Sequence, residues 1–250
     1  MLKNEREREI LALLKEHSGF LRVKELCTAL YASESSIRRD LTTLEGRGVI
    51  KRTYGGAELV TNFSSAISFN QRAHHNPAAK KAIAKKAASL IKDGDVIFLD
   101  QSSSAFYLAN EISKNNTLTV ITNNIEILSL LSGTEIKTIS SGGILCTGNR
   151  TCLVGSDAHC IFENIYADLL FFSTKSLSDD GTISDCAREE VLVRNPMLKN
   201  AAKKVFLCDS EKFGSRSAYT QCHLSDVDYL VSENDSAKRF ADLNKDLIVL

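Results

Sequence analysis

The chain has 250 residues, 43% of them hydrophobic and 25% charged, and its 31 basic residues balance its 31 acidic ones. This length suits a sizeable core and two domains. No stretch reaches the roughly 18 consecutive apolar residues of a membrane helix, and the charged amino terminus is unlike a signal peptide, so we expect a cytoplasmic protein. Because the net charge is zero, any contact with nucleic acid must come from a local basic patch.

The seven cysteines contain no C-x-x-C pair. We therefore expect reduced thiols, with neither a structural metal nor a cofactor.

Hydrophobic spacing predicts three helices near the amino terminus, over residues 4–16, 23–30 and 33–47. Ser33 is a suitable N-cap for the third. The short stretch "GFLRV" separates the first two helices, and "VIKRTYGGA" after the third reads as a strand and a tight turn. This order predicts a winged helix-turn-helix, in which the third helix enters the major groove of DNA.

The third helix also predicts which side chains contact DNA. Ile37, Leu41 and Leu44 share one face and are expected to pack inward. Residues on the opposite face or on the wing can then reach base edges and phosphates; these are Ser35, Ser36, Arg38, Arg39, Lys51, Arg52 and Tyr54. Asp40 is interpreted as an ion-pair partner of one of the adjacent arginines. The alternative is a charged helix that only faces solvent.

Residues 58–77 form a polar stretch that we interpret as a linker. After it, the spacing of the hydrophobic residues changes. Six short apolar runs follow, at 95–100, 118–122, 136–140, 167–174, 204–210 and 228–232. Helical segments separate most of them, including 78–91, 105–114, 124–132 and 187–202. Alternation of this kind predicts a mostly parallel α/β sheet that binds its ligand at the carboxyl ends of the strands.

One strand end carries a candidate anion site. In "FLDQSSSAFYLA" Asp100 ends a strand, three serines follow, and a helix begins at once. Hydroxyls beside free helix N–H groups can hold a phosphate. The alternative is that one serine only caps the helix. "VITNN" and "SSGG" end two further strands, and converging polar loops favour a small-molecule site.

The stretch "SSIRRDLTTLEGRGVIKRTYGGA" resembles the signature T-[IV]-R-R-D-L-x-x-L-E-x-x-G, with a wing ending in G-G-A, of the DeoR family of bacterial transcriptional regulators. Only Ser36 replaces the usual threonine. "FNQRAHHNPAAKKAIAKKAASLIKDGDVIFLD" is also similar to that family. The resemblance implies a winged helix-turn-helix domain at 1–57, a linker at 58–77, and a sensor and oligomerisation domain at 78–250. That last domain would resemble ribose-5-phosphate isomerase and glucosamine-phosphate deaminase.

The resemblance also implies effector-binding residues. The family's D-x-G-[ST]-T loop, T-N pair and G-G pair correspond to Asp100, Gln101, Ser102, Ser103, Ser104, Thr122, Asn123, Gly142 and Gly143. Ser102 stands where the family has glycine. Lys212 matches the lysine of the family motif D-S-S-K-F, and Lys175 and Glu189 are further candidates for contacts with a phosphorylated sugar.

The resemblance implies binding without catalysis. The isomerase's acidic D-G-A-D-E run falls on residues 172–176, which contain no carboxylate. Glu189 aligns with the isomerase's base, but one glutamate lacks the paired groups that move protons in both directions. We therefore predict an oligomeric repressor of sugar metabolism that binds operator DNA and a phosphorylated sugar. The alternatives are a sugar-phosphate isomerase or deaminase with an added helical domain, and a constitutive DNA-binding protein whose second domain only oligomerises.

Overall fold

The computed structural model describes residues 3–17, 20–46, 49–53, 55–59, 69–114 and 117–250. The chain divides into two compact units, Met1–Ser65 and Ala66–Leu250. None of the described helices is long and apolar enough to cross a bilayer.

The first unit is the predicted winged helix-turn-helix. Its elements are α1 (Lys3–Glu16), β1 (Phe20–Arg22), α2 (Val23–Leu30), α3 (Glu34–Gly46), β2 (Ile50–Thr53) and β3 (Gly56–Leu59). The strands form an antiparallel sheet in the order β1-β3-β2. Ile37, Leu41 and Leu44 are buried against α1 and α2, so the predicted inward face of α3 is confirmed.

The two wing glycines have different roles. Gly55 has a φ of +87°, a conformation that glycine adopts without strain. At Gly56 an added Cβ would lie 2.6 Å from the carbonyl oxygen of Leu21. The second glycine is therefore needed because β1 packs closely against the wing, which the sequence did not indicate.

The second unit is an α/β domain built in chain order from helices and strands. It begins with α4 (Phe69–His74), α5 (Pro77–Ala88), β4 (Val96–Leu99), α6 (Ser103–Ile112), β5 (Thr119–Thr122), α7 (Ile125–Leu131), β6 (Lys137–Ser140), β7 (Ile144–Leu145) and β8 (Leu153–Val154). It continues with α8 (Ser156–Asn164), β9 (Ala167–Phe172), β10 (Ser176–Leu177), β11 (Thr182–Asp185), α9 (Arg188–Lys199), β12 (Ala201–Leu207), β13 (Tyr219–His223), β14 (Tyr229–Val231) and β15 (Ile248–Val249). Short 3₁₀ turns lie at Ser210–Lys212, Leu224–Asp226 and Asp235–Leu243.

Seven strands form one parallel sheet in the order β15-β14-β12-β9-β4-β5-β6. Six of them coincide with the six predicted apolar runs. Apolar clusters cover both faces, which is why these strands read as continuous apolar runs. Because all pairs are parallel, the loops after β4, β5, β9 and β12 meet at one edge of the sheet.

Three features differ from the predicted outline. A small antiparallel sheet, β10-β11-β13, and the hairpin β7–β8 stand outside the main sheet. Their strands are short, so they lack the long apolar runs that marked the others. The interpretation of 58–77 as a linker is contradicted at its carboxyl end, where Phe69 in α4 is buried with its ring 5.6 Å from that of Phe106.

Candidate functional site

The exposed face of α3 carries the predicted DNA-contacting residues. Ser35, Arg38 and Arg39 are exposed, and Ser36 is half-buried. Ser33 caps the helix because its Oγ accepts a hydrogen bond from the N–H of Ser36. The structure therefore brings these side chains to the amino-terminal half of α3, where side chains of a recognition helix reach base edges.

The side chains of Arg38 and Arg39 make only weak interactions within the protein. Arg38 Nη2 lies 2.7 Å from Glu34 Oε1, and both side chains are about half exposed, at 52% and 54%. Arg39 donates from Nε to the carbonyl oxygen of Ser35 at 3.3 Å. Exposed ion pairs of this type contribute about 0–1 kcal/mol, so both guanidinium groups are available to another partner.

Asp40 does not pair with either neighbouring arginine, so that expectation was wrong. Its carboxylate is buried and accepts hydrogen bonds from Arg6 Nε at 2.5 Å and from Arg6 Nη2 at 3.3 Å. The hydrogen bond to Asp40 raises the pKa of Arg6. Residues 37, 40, 41 and 44 share the inward face of α3, so Asp40 points toward α1 and ties the two helices together.

On the wing, Arg52 packs beside α3. Its Nη1 donates to Thr42 Oγ1 at 2.8 Å, and its backbone N–H donates to Glu45 Oε1 at 2.9 Å. Lys51 lies in β2, but its side chain is outside the described residues, as is the whole of Tyr54.

In the second unit, Asp100 holds together several elements at the sheet edge. It is fully buried, and Arg194 Nε donates to it at 3.0 Å. The backbone N–H groups of Ser102 and Ser173 occupy its two oxygens as well. Arg194 also donates to Asp185 at 3.2 Å. Burial opposes the charge of Arg194, but Asp100 and Asp185 outweigh it and raise its pKa.

The three serines after β4 have different roles. Ser102 caps α6 by accepting from the N–H of Ala105 at 3.1 Å, which is the alternative reading of the three serines. Its φ of −76° is open to any residue, so the glycine of the family is not required for this backbone. Ser103 and Ser104 are buried in the first turn of α6, where helix N–H groups lack intrahelical acceptors.

Buried polar atoms without partners gather at this edge. Within the described part of the chain, Ser104 Oγ, Asn123 Oδ1 and Asn124 Nδ2 have no hydrogen-bond partner. Ser104 follows β4, and the two asparagines follow β5, which pairs with β4. Leaving such groups unpaired is unfavourable by about 1–3 kcal/mol each, so the arrangement suits a ligand that carries hydroxyl groups.

A buried glutamate lies in the same region, but it is not the predicted one. Glu189 is exposed, whereas Glu190 is buried. Glu190 accepts hydrogen bonds from Gln101 Nε2 at 3.1 Å and from Asn149 Nδ2 at 2.9 Å. Asn123 Nδ2 in turn donates to Gln101 at 3.3 Å. The structure thus joins Gln101 and Asn123 of the predicted set directly, and Gln101 connects both to a carboxylate that the sequence analysis missed.

Cationic groups form a second part of the site. Lys80 is buried on α5 and donates to the carbonyl oxygen of His75. Burial, with the neighbouring charge of Lys212, lowers its pKa to about 8. Lys212 donates to Ser173 Oγ at 2.8 Å and lies 3.3 Å from Asp209 Oδ2. Burial opposes ionisation of Asp209, but Lys212 and Lys80 lower its pKa.

Arg72 on α4 is the least expected member of this group. Its Nε and Nη2 are buried and have no hydrogen-bond partner among the described residues. Its charge acts on Lys80 and also on Cys186. Burial, then the charges of Asp185 and Glu190, raises the pKa of Cys186 to about 11, and Arg72 and Lys175 oppose that change. Arg72 therefore lies in electrostatic range of Lys80 and of Cys186, and the charge of Glu190 also acts on Cys186.

Thr122, Gly142 and Gly143 shape the loops at this edge of the sheet. Thr122 is buried and accepts the N–H of Asn124 at 3.0 Å, which shapes the turn after β5. Gly142 and Gly143 have φ of +68° and +98°, and a Cβ on Gly143 would lie 2.5 Å from the carbonyl oxygen of Val154. These glycines are needed for the hairpin that follows. Lys175 is exposed.

Two of the missed residues carried a signal in the sequence. Lys80 shares a helical face with Ile83, Ala84 and Ala87, and a lysine on an apolar face marks a buried charge. Arg194 occupies an equivalent place on α9, four residues after Glu190. Arg72 lies in a six-residue helix, which is too short to show a pattern.

Comparison with known proteins identifies the family. Residues 6–63 match the model of the DeoR-like helix-turn-helix domain, and residues 75–234 match that of the DeoR C terminal sensor domain. The HTH-type transcriptional regulator GolR of Listeria innocua is 36% identical over 235 residues, covering 94% of this chain and 92% of that protein. The lactose phosphotransferase system repressor of Staphylococcus aureus is 30% identical over 244 residues, covering 96% and 95%.

Among solved structures, ribose 5-phosphate isomerase A from Methanocaldococcus jannaschii aligns with 54% of this chain and 53% of its own, at 20% identity and a TM-score of 0.41. A likeness this weak does not bear on function. The two domain matches and the relatives that align along nearly the whole length establish that the chain belongs to the DeoR family of helix-turn-helix transcriptional regulators.

Proposed function

We propose that this regulator binds a phosphorylated sugar in its second unit, and that the sugar changes its affinity for operator DNA. The observation that carries the proposal is the pair of buried Arg72 nitrogens, Nε and Nη2, which have no hydrogen-bond partner in the described chain. The charge of Arg72, like that of Lys212, acts on the buried Lys80. An unpaired buried charge is costly, and an anion bound there offsets that cost.

The rest of the ligand is inferred from the neutral groups. Ser104 Oγ and Asn123 Oδ1 are buried and unpaired in the described structure, and the latter can only accept. A ligand that donates hydroxyl hydrogens to these atoms while its phosphate contacts the cations satisfies both parts of the site. A phosphorylated sugar has that chemistry.

The site supports binding without turnover. Both oxygens of Glu190 accept hydrogen bonds from amide groups of Gln101 and Asn149. Residues 172–176 supply no second carboxylate. A carboxylate whose two oxygens are held in this way, without the acidic run that the isomerase has at this place, does not favour an isomerase or deaminase activity.

Regulation follows from differential binding. The sugar phosphate can shift operator binding only as far as its affinities for the competent and incompetent arrangements differ. We further propose that the protein is a cytoplasmic repressor, as the name of its staphylococcal relative suggests. It would act as a dimer or larger oligomer, because two half-sites bound together strengthen a weakly charged DNA-binding unit.

The test is a thermal-shift screen against phosphorylated sugars, with the same sugars lacking phosphate and inorganic phosphate as controls. A ligand at about 100 times its Kd adds about 2.7 kcal/mol to stability. A hit that requires both the phosphate and the sugar supports the proposal. The same ligand must also change the affinity of the protein for a DNA duplex that the protein has selected from a random-sequence pool. Conversion of the ligand, followed by NMR, would favour the enzyme instead.

Two variants connect the hit to the site. Arg72→Met should weaken binding of the hit by tenfold or more, because it removes a positive charge and two unpaired N–H donors. Arg188→Met is the matched control, since Arg188 is an exposed arginine of the same unit. If no phosphorylated sugar stabilises the protein and DNA binding persists, the result favours a different class of ligand or a second unit that only oligomerises.

A further inference from the structure

The turn between α2 and α3 holds an unusual tyrosine. Tyr31 has φ 48° and ψ 43°, the left-handed conformation. Among the described residues other than glycine, only Tyr31 and Asn76 have positive φ. Asparagine tolerates this region, and Asn76 also caps α5 by accepting from Ala79. For a bulky aromatic residue the same conformation is strained.

Packing does not compensate for this strain. The Tyr31 side chain is 97% exposed, more than any other large hydrophobic residue described. Glycine or asparagine would suit the turn better. A residue that is unfavourable in its own unit and contributes nothing to its core points to a partner outside that unit.

The position of Tyr31 indicates which partner. It follows α2 directly, two residues separate it from the start of α3, and Ser33 and Ser35 are exposed nearby. In helix-turn-helix proteins the second helix places its amino-terminal residues at base edges, while the first helix crosses the backbone. The turn that joins them therefore lies over the phosphates that border the groove. Tyrosine hydroxyls are established donors to such phosphates.

We propose that Tyr31 is a DNA-backbone contact, whose phenol hydroxyl donates a hydrogen bond to a phosphate oxygen beside the groove that α3 enters. The inference rests on DNA binding by the first unit. It assigns to the turn a contact that the recognition helix and the wing do not supply.

The test uses the full-length protein and a duplex that the wild type selects from a random-sequence pool. Tyr31→Phe removes only the hydroxyl and should weaken binding about 3- to 10-fold. Tyr31→Asn should weaken binding by at least as much, yet melt at the same temperature as the wild type or higher, because asparagine relieves the left-handed strain. Tyr166→Phe is the control, since Tyr166 is 67% exposed in the second unit.

Two further readouts identify the contact. Phosphate ethylation that interferes with wild-type binding at one position per half-site should no longer interfere with Tyr31→Phe. The salt dependence of the binding constant should be unchanged, because a neutral hydroxyl displaces no counterion, whereas loss of a lysine or arginine contact would reduce the slope by about 0.9.

Equal DNA affinity of Tyr31→Phe and the wild type would overturn the proposal. So would an equal loss for the Tyr166→Phe control. If the wild type selects no duplex at all, DNA binding itself fails and the role of Tyr31 fails with it. A duplex that is selected but insensitive to both Tyr31 variants removes only the role of Tyr31.

Discussion

Arg38 in the first unit and Arg194 in the second use their charges in opposite ways. In the first, Arg38 and Glu34 form an exposed pair on the face of α3, and breaking it releases the arginine at little cost. In the second, Arg194 is 1% exposed and held by Asp100 and Asp185. The comparison separates arginines that are free to bind from arginines that hold the fold.

The largest expected effect comes from breaking the buried pairs. Arg194→Met leaves Asp100 and Asp185 as buried charges without a cation, which should lower the free energy of unfolding by about 3–5 kcal/mol. Urea denaturation followed by circular dichroism measures the change. Lys238→Met removes an exposed ion pair with Asp235 in the same unit and should leave the midpoint unchanged. Equal urea-denaturation midpoints for Arg194→Met and Lys238→Met would contradict the difference between the buried and the exposed ion pairs.

The next effect is on DNA binding. The double variant Arg38→Ala, Arg39→Ala should bind a selected duplex about 10- to 100-fold more weakly, because each arginine contributes base or phosphate contacts. Its stability and its response to the sugar phosphate should not change. Arg8→Ala, at an exposed position on α1, controls for the loss of positive charge. Unaltered affinity of the double variant in a fluorescence-anisotropy titration would contradict the assignment of α3.

Regular spacing of apolar residues explains which parts of the structure could be predicted from the sequence. Ile37, Leu41 and Leu44 repeat at helical spacing, so the inward face of α3 followed from pattern alone. The six apolar runs likewise predicted six strands, because strands buried on both faces are apolar throughout. β15 was missed since two residues are too few for a pattern.

The polar site was harder to predict because its members meet only through the fold. Asp100 was correctly placed at a strand end, but its partner Arg194 lies 94 residues away, and spacing cannot reveal that contact. Glu189 and Glu190 are adjacent, and one step along α9 decides which is buried. Arg72 came from a stretch that the sequence presented as a linker.

A smaller effect is expected from Lys80, whose lowered pKa should make the affinity for the phosphorylated sugar depend on pH. Its pKa of about 8 means that the amine is charged at pH 7 and loses its proton as the pH rises past 8. Affinity for the phosphorylated sugar should therefore be highest near pH 7 and decline above pH 8. Lys80→Met should bind about tenfold more weakly at pH 7 and lack that decline. Calorimetric titrations at four pH values test this, with Lys81→Met, an exposed neighbour, as control.

The smallest effect concerns Ser102, where the family has glycine. Ser102→Gly removes the cap on α6, and glycine is nearly as good a cap as serine, so stability should fall by only about 0.5 kcal/mol. The backbone at this position, with φ −76° and ψ 153°, is already extended, and glycine offers no new conformation that the loop needs. Affinity for the phosphorylated sugar should therefore change less than about twofold in the same titration. A gain of tenfold would instead mean that the phosphate approaches the backbone at residue 102 and that the serine side chain obstructs it. That result would move the anion away from Arg72 and toward the first turn of α6.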